Sequence, residues 1–312
     1  MKNILLFLVS ILVSTTLFSQ SDSMEFATAL KPIRNPWLGT SFIDNQTTET
    51  PLKGNFEFVI LHRFTSVSNG VSDLYGLYGA SNVKLGFNFG ITNAIMLGIG
   101  TEKDKRMQEV SCKIRLLQQN RGGSLPISVS FFTNACVSTI EKKYLGYDYS
   151  FKDRLSYFSQ IIVSRKFNKR LTVQLTESYS HINKLPGTRV QTETDTSIFV
   201  EYISPYQHNA IGVSASAHLK LWNDVGLIGE YSQGFYVGSE KNNSQIANQN
   251  SIKKDPKPNV ALGIEFGTTT HVFQFFASSY RGIIPQNNYV MNQYDFTKKA
   301  GIMLGFNIIV KY

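Results

Sequence analysis

Apolar and polar residues alternate at every second position along most of the chain beyond residue 50. In 83–89 the odd positions hold Val, Leu and Phe, whereas the even positions hold Lys, Gly and Asn. The same alternation returns in 110–116, 171–176, 211–219 and 260–266. A period of two is the pattern of a β-strand that has one apolar face and one polar face, so the sequence predicts an all-β protein.

Twelve segments show this pattern, and most of them are about 9–13 residues long, which is the length of a tilted strand that crosses a membrane. Strands of soluble sheets are typically about 5–6 residues long. The predicted strands are 54–64, 81–90, 94–101, 107–118, 126–138, 152–167, 170–182, 208–221, 224–236, 258–267, 271–280 and 301–312.

The links between these strands differ in length in a regular way. Tight turns are predicted at 91–93, 168–169, 222–223 and 268–270. The intervening links are mostly long and polar, at 65–80, 139–151, 183–207, 237–257 and 281–300, although 102–106 is short for a loop and 119–125 is long for a turn. Short turns on one side and long loops on the other are typical of an outer-membrane barrel.

Closure of the sheet follows from its backbone. In hydrocarbon every N–H and C=O group must be paired internally, so an apolar-faced sheet crosses a membrane only as a closed barrel. A soluble β-sandwich is the competing architecture, but it has shorter strands and no alternation of loop lengths. We therefore predict a closed antiparallel transmembrane β-barrel of about 12 strands, with short periplasmic turns and longer extracellular loops.

The two ends of the chain carry separate signals. Residues 1–19 combine Lys2, an apolar run and Ser19, which is the pattern of a secretory signal peptide. Residues 20–53 precede the barrel at 54–312 and form a periplasmic arm, a short lumen plug or a docking segment; Trp37 in this arm needs a surface to cover it. The last strand has one apolar face that ends in an aromatic residue, and it resembles the signal by which outer-membrane barrels are recognised for insertion. The residues of this predicted signal are Phe306, Ile308, Val310 and Tyr312.

Several segments together resemble an uncharacterised family of outer-membrane β-barrel proteins from Bacteroidota. The segments that carry the resemblance are 39–47 leading into 56–64, 73–77, 83–92, 113–118 and 270–275. The resemblance spans nearly all of the chain after the signal peptide. It implies a barrel and an outer-membrane location, and it brings no established activity.

The polar faces of the predicted strands line the lumen with charges of both signs. The lumen-lining candidates are Glu57, Lys84, Lys113, Arg115, Lys166, His218, Glu230 and Glu265. The whole chain carries 31 Lys and Arg against 22 Asp and Glu, a net charge of +9, with no basic stripe or base-stacking module that would indicate nucleic-acid binding. Contact with anionic lipopolysaccharide, or attraction of anionic solutes, explains this excess better.

Evidence for catalysis or for a cofactor is weak in the sequence. Ser216 and His218 lie two apart on one strand face, about 6–7 Å from each other, with no positioned carboxylate in view, so polar lumen lining is the preferred interpretation. No His, Cys or carboxylate pair has metal-ligand spacing with a third partner. Cys112 is predicted to face lipid and Cys136 the lumen, so we expect two free thiols. The sequence predicts neither enzyme activity, nor a metal, nor a cofactor.

Two functions remain open from the sequence. The first is a porin-like channel for small solutes with a mixed-charge, slightly basic lumen; the alternative is a non-transporting barrel that scaffolds a larger outer-membrane complex. A third, an outer-membrane enzyme, depends only on Ser216 and His218. A barrel of twelve strands lies between the filled eight-stranded and open sixteen-stranded kinds, so its diameter does not decide whether the lumen is open. The expected partners are outer-membrane lipid and lipopolysaccharide, the barrel-assembly machinery and other outer-membrane proteins.

Overall fold

A computed structural model describes residues 31–34, 36–141, 150–186, 188–194, 197–238 and 255–312. The predicted signal peptide, residues 20–30 of the predicted arm and most of the predicted 237–257 link lie outside the described residues. The strands are β1 (Ser41–Phe42), β2 (Asn45–Gln46), β3 (Phe56–Ser66), β4 (Asn82–Gly90), β5 (Ile95–Glu102), β6 (Met107–Leu117), β7 (Ser128–Ser138), β8 (Leu155–Lys166), β9 (Leu171–Ile182), β10 (Thr188–Thr194), β11 (Ser197–Ile203), β12 (Asn209–Trp222), β13 (Val225–Tyr236), β14 (Asn259–Gly267), β15 (His271–Ser278) and β16 (Met303–Lys311).

Twelve of these strands form one closed barrel. Neighbours along the chain pair antiparallel from β3 to β9 and from β12 to β16; β9 pairs with β12, and β16 pairs with β3 to close the ring. The predicted fold class is confirmed, and each predicted strand boundary lies within three residues of the observed one. The agreement has a physical cause: a slip of one residue turns every side chain to the wrong face, so a two-faced strand specifies its register strongly.

The barrel has an apolar outer surface and a polar interior. Along β3, burial alternates residue by residue, with Glu57, Leu61 and Arg63 buried inside the barrel. Along β4 the outward residues Leu85 and Phe87 are about 40% exposed, and apolar side chains of this size continue around the outer face of the other strands. A continuous apolar belt of this extent is far larger than the patches that soluble monomers expose, so it fits a hydrocarbon environment.

The two ends of the barrel differ as predicted. Turns at 91–94, 167–170, 223–224 and 268–270 are short and lie at the end where the chain enters at Phe56 and leaves at Tyr312, whereas most links at the other end are long. The sequence predicts a loop at 183–207, but this link contains β10 and β11, which pair only with each other. Its β-branched and aromatic residues favour strands, and the mutual pairing satisfies their backbone groups outside the barrel.

The predicted loop 281–300 also contains regular structure, the helix α1 (Pro285–Met291). Pro285 occupies the first turn, where its missing N–H leaves no hydrogen bond unmade. Five of the seven residues of α1 are buried, because the loop folds back into the barrel. No helix among the described residues is both long enough and apolar enough to cross a membrane.

Candidate functional site

The lumen is occupied from the turn end by residues 37–50, which we call the lumen plug. Within the plug, β1 and β2 form a two-stranded hairpin in which Ser41 pairs with Gln46 and Phe42 with Asn45. Ile43 and Asp44 form its tip, and Ile43 is fully buried. The structure therefore places this part of the predicted 20–53 arm inside the barrel rather than in the periplasm.

The hairpin tip is held by the barrel wall through its backbone. Ile43 N donates to Gln274 Oε1 at 3.1 Å, and Ile43 O accepts from Arg63 Nη2 at 3.0 Å and from Asn307 Nδ2 at 2.8 Å. The φ angle of Ile43 is 49°, a left-handed value that is rare for a β-branched residue and costs about 1–3 kcal/mol. The three hydrogen bonds from the wall offset this strain, so the tip conformation depends on contact with the barrel.

A single lysine ties together the two ends of the plug. Lys113 Nζ on β6 donates to Thr40 O at 2.8 Å and to Glu49 O at 3.0 Å. The hydroxyl of Thr40 donates to the Glu57 carboxylate on β3, and Lys113 itself is fully buried. Because Thr40 precedes the hairpin and Glu49 follows it, Lys113 clamps the plug at its base.

The opposite wall holds the plug through uncharged groups. Gln160 Nε2 donates to Asn45 Oδ1 at 2.7 Å, and Gln174 Nε2 donates to the backbone carbonyl of Gln46 at 2.8 Å. Nearer the base, the hydroxyls of Thr48 and Ser164 lie 2.8 Å apart. The plug therefore bridges the lumen between a charged wall on β3–β6 and uncharged side chains on β8 and β9.

Helix α1 meets the plug from the loop end of the barrel. Asn288 Nδ2 donates to Asp44 Oδ2 at 2.6 Å, and Tyr289 OH donates to Asn45 Oδ1 at 3.2 Å. Glycine makes this approach possible: a Cβ on Gly212 would lie 2.4 Å from the Tyr289 ring. The lumen is thus filled by two elements that touch each other at the hairpin tip.

Asp44 lies at this meeting point, outside the spanning strands. Its carboxylate lies 4.0 Å from Arg63 Nη2 and accepts a hydrogen bond from Asn288. Burial raises the pKa of Asp44 from 3.8 to about 6, although the positive charge of Arg63 and the hydrogen bond from Asn288 both act to lower it. The contact between plug and helix therefore includes a carboxyl group that titrates near neutral pH.

All eight predicted lumen-lining residues face the interior, but they do not form a free charged lining. Lys113, Glu57 and Arg115 converge on the base of the plug, where Arg115 Nη1 lies 3.8 Å from the Glu49 carboxylate. Lys84 forms an ion pair with Glu109 on β6.

The remaining predicted residues also have partners inside the barrel. Lys166 Nζ donates to the backbone carbonyl of Arg34 at 2.8 Å. His218 Nε2 lies 3.4 Å from Glu265 Oε1, and Glu230 Oε2 accepts from Ser216 Oγ at 3.4 Å. The basic residues that the sequence suggests for anion attraction are therefore engaged with the plug or with nearby groups in this conformation.

Charges in the filled lumen balance. The inward positions of the barrel strands carry seven basic side chains, Arg63, Lys84, Lys113, Arg115, Lys166, Lys220 and Lys311. They also carry five acidic side chains, Glu57, Glu102, Glu109, Glu230 and Glu265. The plug adds Asp44 and Glu49, so the number of acidic side chains in the filled lumen equals the number of basic side chains.

The two candidate catalytic residues do not form a pair. Ser216 is directed at Glu230, whereas His218 is directed at Glu265 on a different strand. Within the described residues, no group of three or more His, Cys, Asp and Glu side chains is arranged to hold a metal ion. Both cysteines are free thiols; Cys136 is buried and Cys112 is partly exposed on the outer face.

The sequence does not predict the contacts of the plug tip and of α1. Ile43, Asp44, Asn288 and Tyr289 make the contacts that fill the centre of the lumen. A signal for α1 is present in the sequence: a proline begins a short segment of apolar and amide residues in a link otherwise predicted to be polar.

Comparison with known proteins gives the family. Among solved structures, the NanC porin is 10% identical with a TM-score of 0.45, over 81% of this chain and 98% of that one. The KdgM porin is 7% identical with a TM-score of 0.41, over 82% and 98%, and Salmonella typhi OmpF in complex with daunomycin is 7% identical with a TM-score of 0.35, over 83% and 97%. No curated protein sequence matches the chain. The model of a membrane bound beta barrel domain (DUF5777) matches residues 37–312, so the chain belongs to this family of membrane-bound β-barrels.

Proposed function

We propose that the protein is exported through the signal peptide at 1–19, resides in the outer membrane, and is a porin-like small-solute channel that the lumen plug and α1 close at rest. The observation that carries this proposal is the polar character of the contacts between plug and wall. Hydrogen bonds from Lys113, Gln160 and Gln174 hold the plug, and water can replace each of them. The plug can therefore leave the lumen without leaving the hydrogen-bonding groups of the wall unpaired.

An apolar cluster gives the closed state its stability. Trp37, Phe42 and Ile43 of the plug pack against wall residues that include Ile228 and Phe276, with the Trp37 and Phe42 rings 4.7 Å apart. Burial of side chains of this size contributes about 1.5–3 kcal/mol each, so the plug remains seated most of the time. We therefore expect brief openings rather than a permanently open pore.

Displacement of the plug changes the charge of the path. Asp44 and Glu49 leave with it, so the seven basic side chains on the wall then face five acidic ones. Arg63 and Arg115 lose their acidic plug partners at the same time. The open lumen proposed here is slightly basic and favours small anions over small cations.

A disulfide lock between plug and wall tests the channel. Because the hydroxyls of Thr48 and Ser164 lie 2.8 Å apart, the pair Thr48→Cys and Ser164→Cys suits a disulfide, in a background with Cys112→Ser and Cys136→Ser. In planar bilayers we expect no openings from the oxidised protein and brief openings after reduction. The two single-cysteine variants are the controls and should not respond to reductant.

Failure of this experiment has two forms. Equal conductance before and after reduction would show that the plug does not close the conducting path. A folded protein that never conducts, even after reduction, would contradict the channel and favour the scaffold.

The scaffold alternative has one observation in its favour. The arm leaves the lumen along the turn between β6 and β7, where Ile33 N donates to Gln119 O at 2.9 Å and Arg121 N donates to Lys31 O at 3.0 Å. This fixes the start of the described chain against the turn end of the barrel, where another protein can bind it. Lipid, lipopolysaccharide and the barrel-assembly machinery are proposed partners under either function.

A further inference from the structure

One side of the lumen carries no charge along most of its length. The inward faces of β7, β8, β9 and β12, which we call the neutral wall, are adjacent in the barrel and span four of its twelve strands. Charged side chains and the imidazole appear on this wall only near the turn end, at Lys166, His218 and Lys220. The rest consists of hydroxyl and amide side chains with a few apolar ones.

Several oxygens of the neutral wall are buried and unused. Gln160 Oε1, Gln174 Oε1, Ser178 Oγ and Ser180 Oγ find no hydrogen-bond partner among the described residues, although each of these side chains is more than nine-tenths buried. A buried polar atom without a partner costs about 1–3 kcal/mol, so such atoms in a native protein need an explanation. The plug and α1 lie over this part of the wall. Their withdrawal therefore exposes unused oxygens on two adjacent strands, where a ligand with many hydrogen-bonding groups can pair with them.

The wall also has a recess that accepts a ring. The Tyr289 ring stacks on Phe158 at 5.7 Å between centroids and lies over Gly212, next to the unpartnered Ser178. Tyr289 is itself a flat ring with one hydroxyl, and it sits in this recess only while α1 is in the lumen. Withdrawal of α1 leaves an aromatic floor beside free hydroxyls.

We propose that the neutral wall is the solute-binding surface of the opened channel and that it takes uncharged, hydroxyl-rich solutes of the saccharide class. This proposal rests on the proposed channel function. Serine hydroxyls and glutamine amides both donate and accept, which matches the hydroxyl groups around a sugar ring. The C–H faces of such a ring are apolar and fit against Phe158. A charged solute gains no ion pair along the central part of this wall.

Current block by neutral solutes tests the proposal on the full chain. The test uses Lys113→Met with Tyr289→Ala as an opened background, because the first change releases the plug and the second removes the ring that occupies the recess. It compares maltotriose with a polyethylene glycol of similar mass. We expect maltotriose to block the current at a concentration at least about tenfold lower than the polyether does. The polyether accepts hydrogen bonds but, apart from its ends, does not donate them.

Two serine changes assign the block to the neutral wall. Ser178→Ala with Ser180→Ala should raise the half-blocking concentration of maltotriose about tenfold, because two hydrogen bonds are lost at about 0.5–1.5 kcal/mol each. The control is Ser111→Ala, a single serine-to-alanine change on the charged wall, which should leave the block unchanged. Heat-modifiable migration confirms that each variant is folded.

The outcomes separate this proposal from the channel itself. Conductance with equal block by the sugar and the polyether, or equal effects of the serine changes on both walls, would overturn the neutral wall as a saccharide site and leave the channel standing. An absence of conductance from wild type and Lys113→Met alike would overturn both.

Discussion

Replacement of Lys113 by methionine should open the barrel. Lys113 Nζ donates to two plug carbonyls, Thr40 O at 2.8 Å and Glu49 O at 3.0 Å, one on each side of the hairpin. Methionine retains much of the length and apolar stem of lysine but cannot donate. The change therefore removes the clamp at the base of the plug while leaving the wall nearly unchanged in volume.

The size of the effect follows from these two contacts. A hydrogen bond with one charged partner contributes about 1.5–3 kcal/mol, so the two together contribute about 3–6 kcal/mol to the seated plug. Removing the buried ammonium also removes its desolvation cost, which places the net loss near the lower limit. A loss of about 3 kcal/mol raises the ratio of displaced to seated plug roughly 100-fold.

Open probability in planar bilayers measures this ratio directly. The matched control is Lys220→Met, which removes a second inward lysine that donates no side-chain hydrogen bond to the described residues of the plug. We expect a large rise in open probability for Lys113→Met and little change for Lys220→Met, with both proteins folded by heat-modifiable migration. Equal open probabilities in the two variants would refute the clamp and the free energies derived from it.

Three further predictions address the helix, the plug tip and the barrel seam. Gly212→Ala should expel α1, because the new Cβ would lie 2.4 Å from the Tyr289 ring. In a Cys112→Ser background, this change should raise the rate at which a membrane-impermeant maleimide labels Cys136, whose sulfur contacts Gln286 of that helix at 3.6 Å. Gly229→Ala, whose new Cβ meets its nearest neighbour at 3.7 Å, is the control, and equal labelling of the two would count against a packed α1. Burial raises the pKa of Asp44 from 3.8 to about 6, so its contribution to plug stability is complete only below about pH 4 and is lost as pH rises through 6. Open probability should therefore be higher at pH 7.5 than at pH 4, and Asp44→Asn should reduce this dependence. An unchanged pH dependence in Asp44→Asn would assign the effect to other groups. Finally, Tyr312→Ala removes a ring stacked 4.6 Å from Phe56 across the seam, so we expect a lower yield of heat-modifiable barrel, and a normal yield would argue against this contact in assembly.

The barrel itself could be predicted because the pattern that specifies each strand lies within that strand's own residues. Each strand shows its two faces in its own residues, as in β16, where Phe306, Ile308 and Val310 point outward and Asn307 and Ile309 point inward. Register and closure then follow from the burial of one face and from the pairing of backbone groups in a membrane. No contact between distant parts of the chain has to be known for this step.

The filling of the lumen depends on contacts that local patterns do not reveal. Lys113 was identified as an inward residue, but its acceptors are carbonyls 73 and 64 positions away in the sequence. Likewise, the contact of Asn288 with Asp44 joins residues 244 positions apart, each from a segment without strand periodicity. The alternation of apolar and polar residues predicts which way a side chain points, but it does not predict which residues that side chain contacts.

The composition of the interior itself argues for a plug that moves. A barrel that is closed permanently gains more from apolar side chains than from ions, because a buried ion pair seldom repays its desolvation. This lumen instead holds seven basic side chains on its wall, and two of the acidic side chains that balance them, Asp44 and Glu49, lie on the plug rather than on the wall. Charges arranged this way are neutralised when the plug is seated and solvated when it leaves, so both states are accessible at moderate cost. A wall whose charged groups can exchange their plug partners for water suits a gated channel, whereas a scaffold has no need of such a wall.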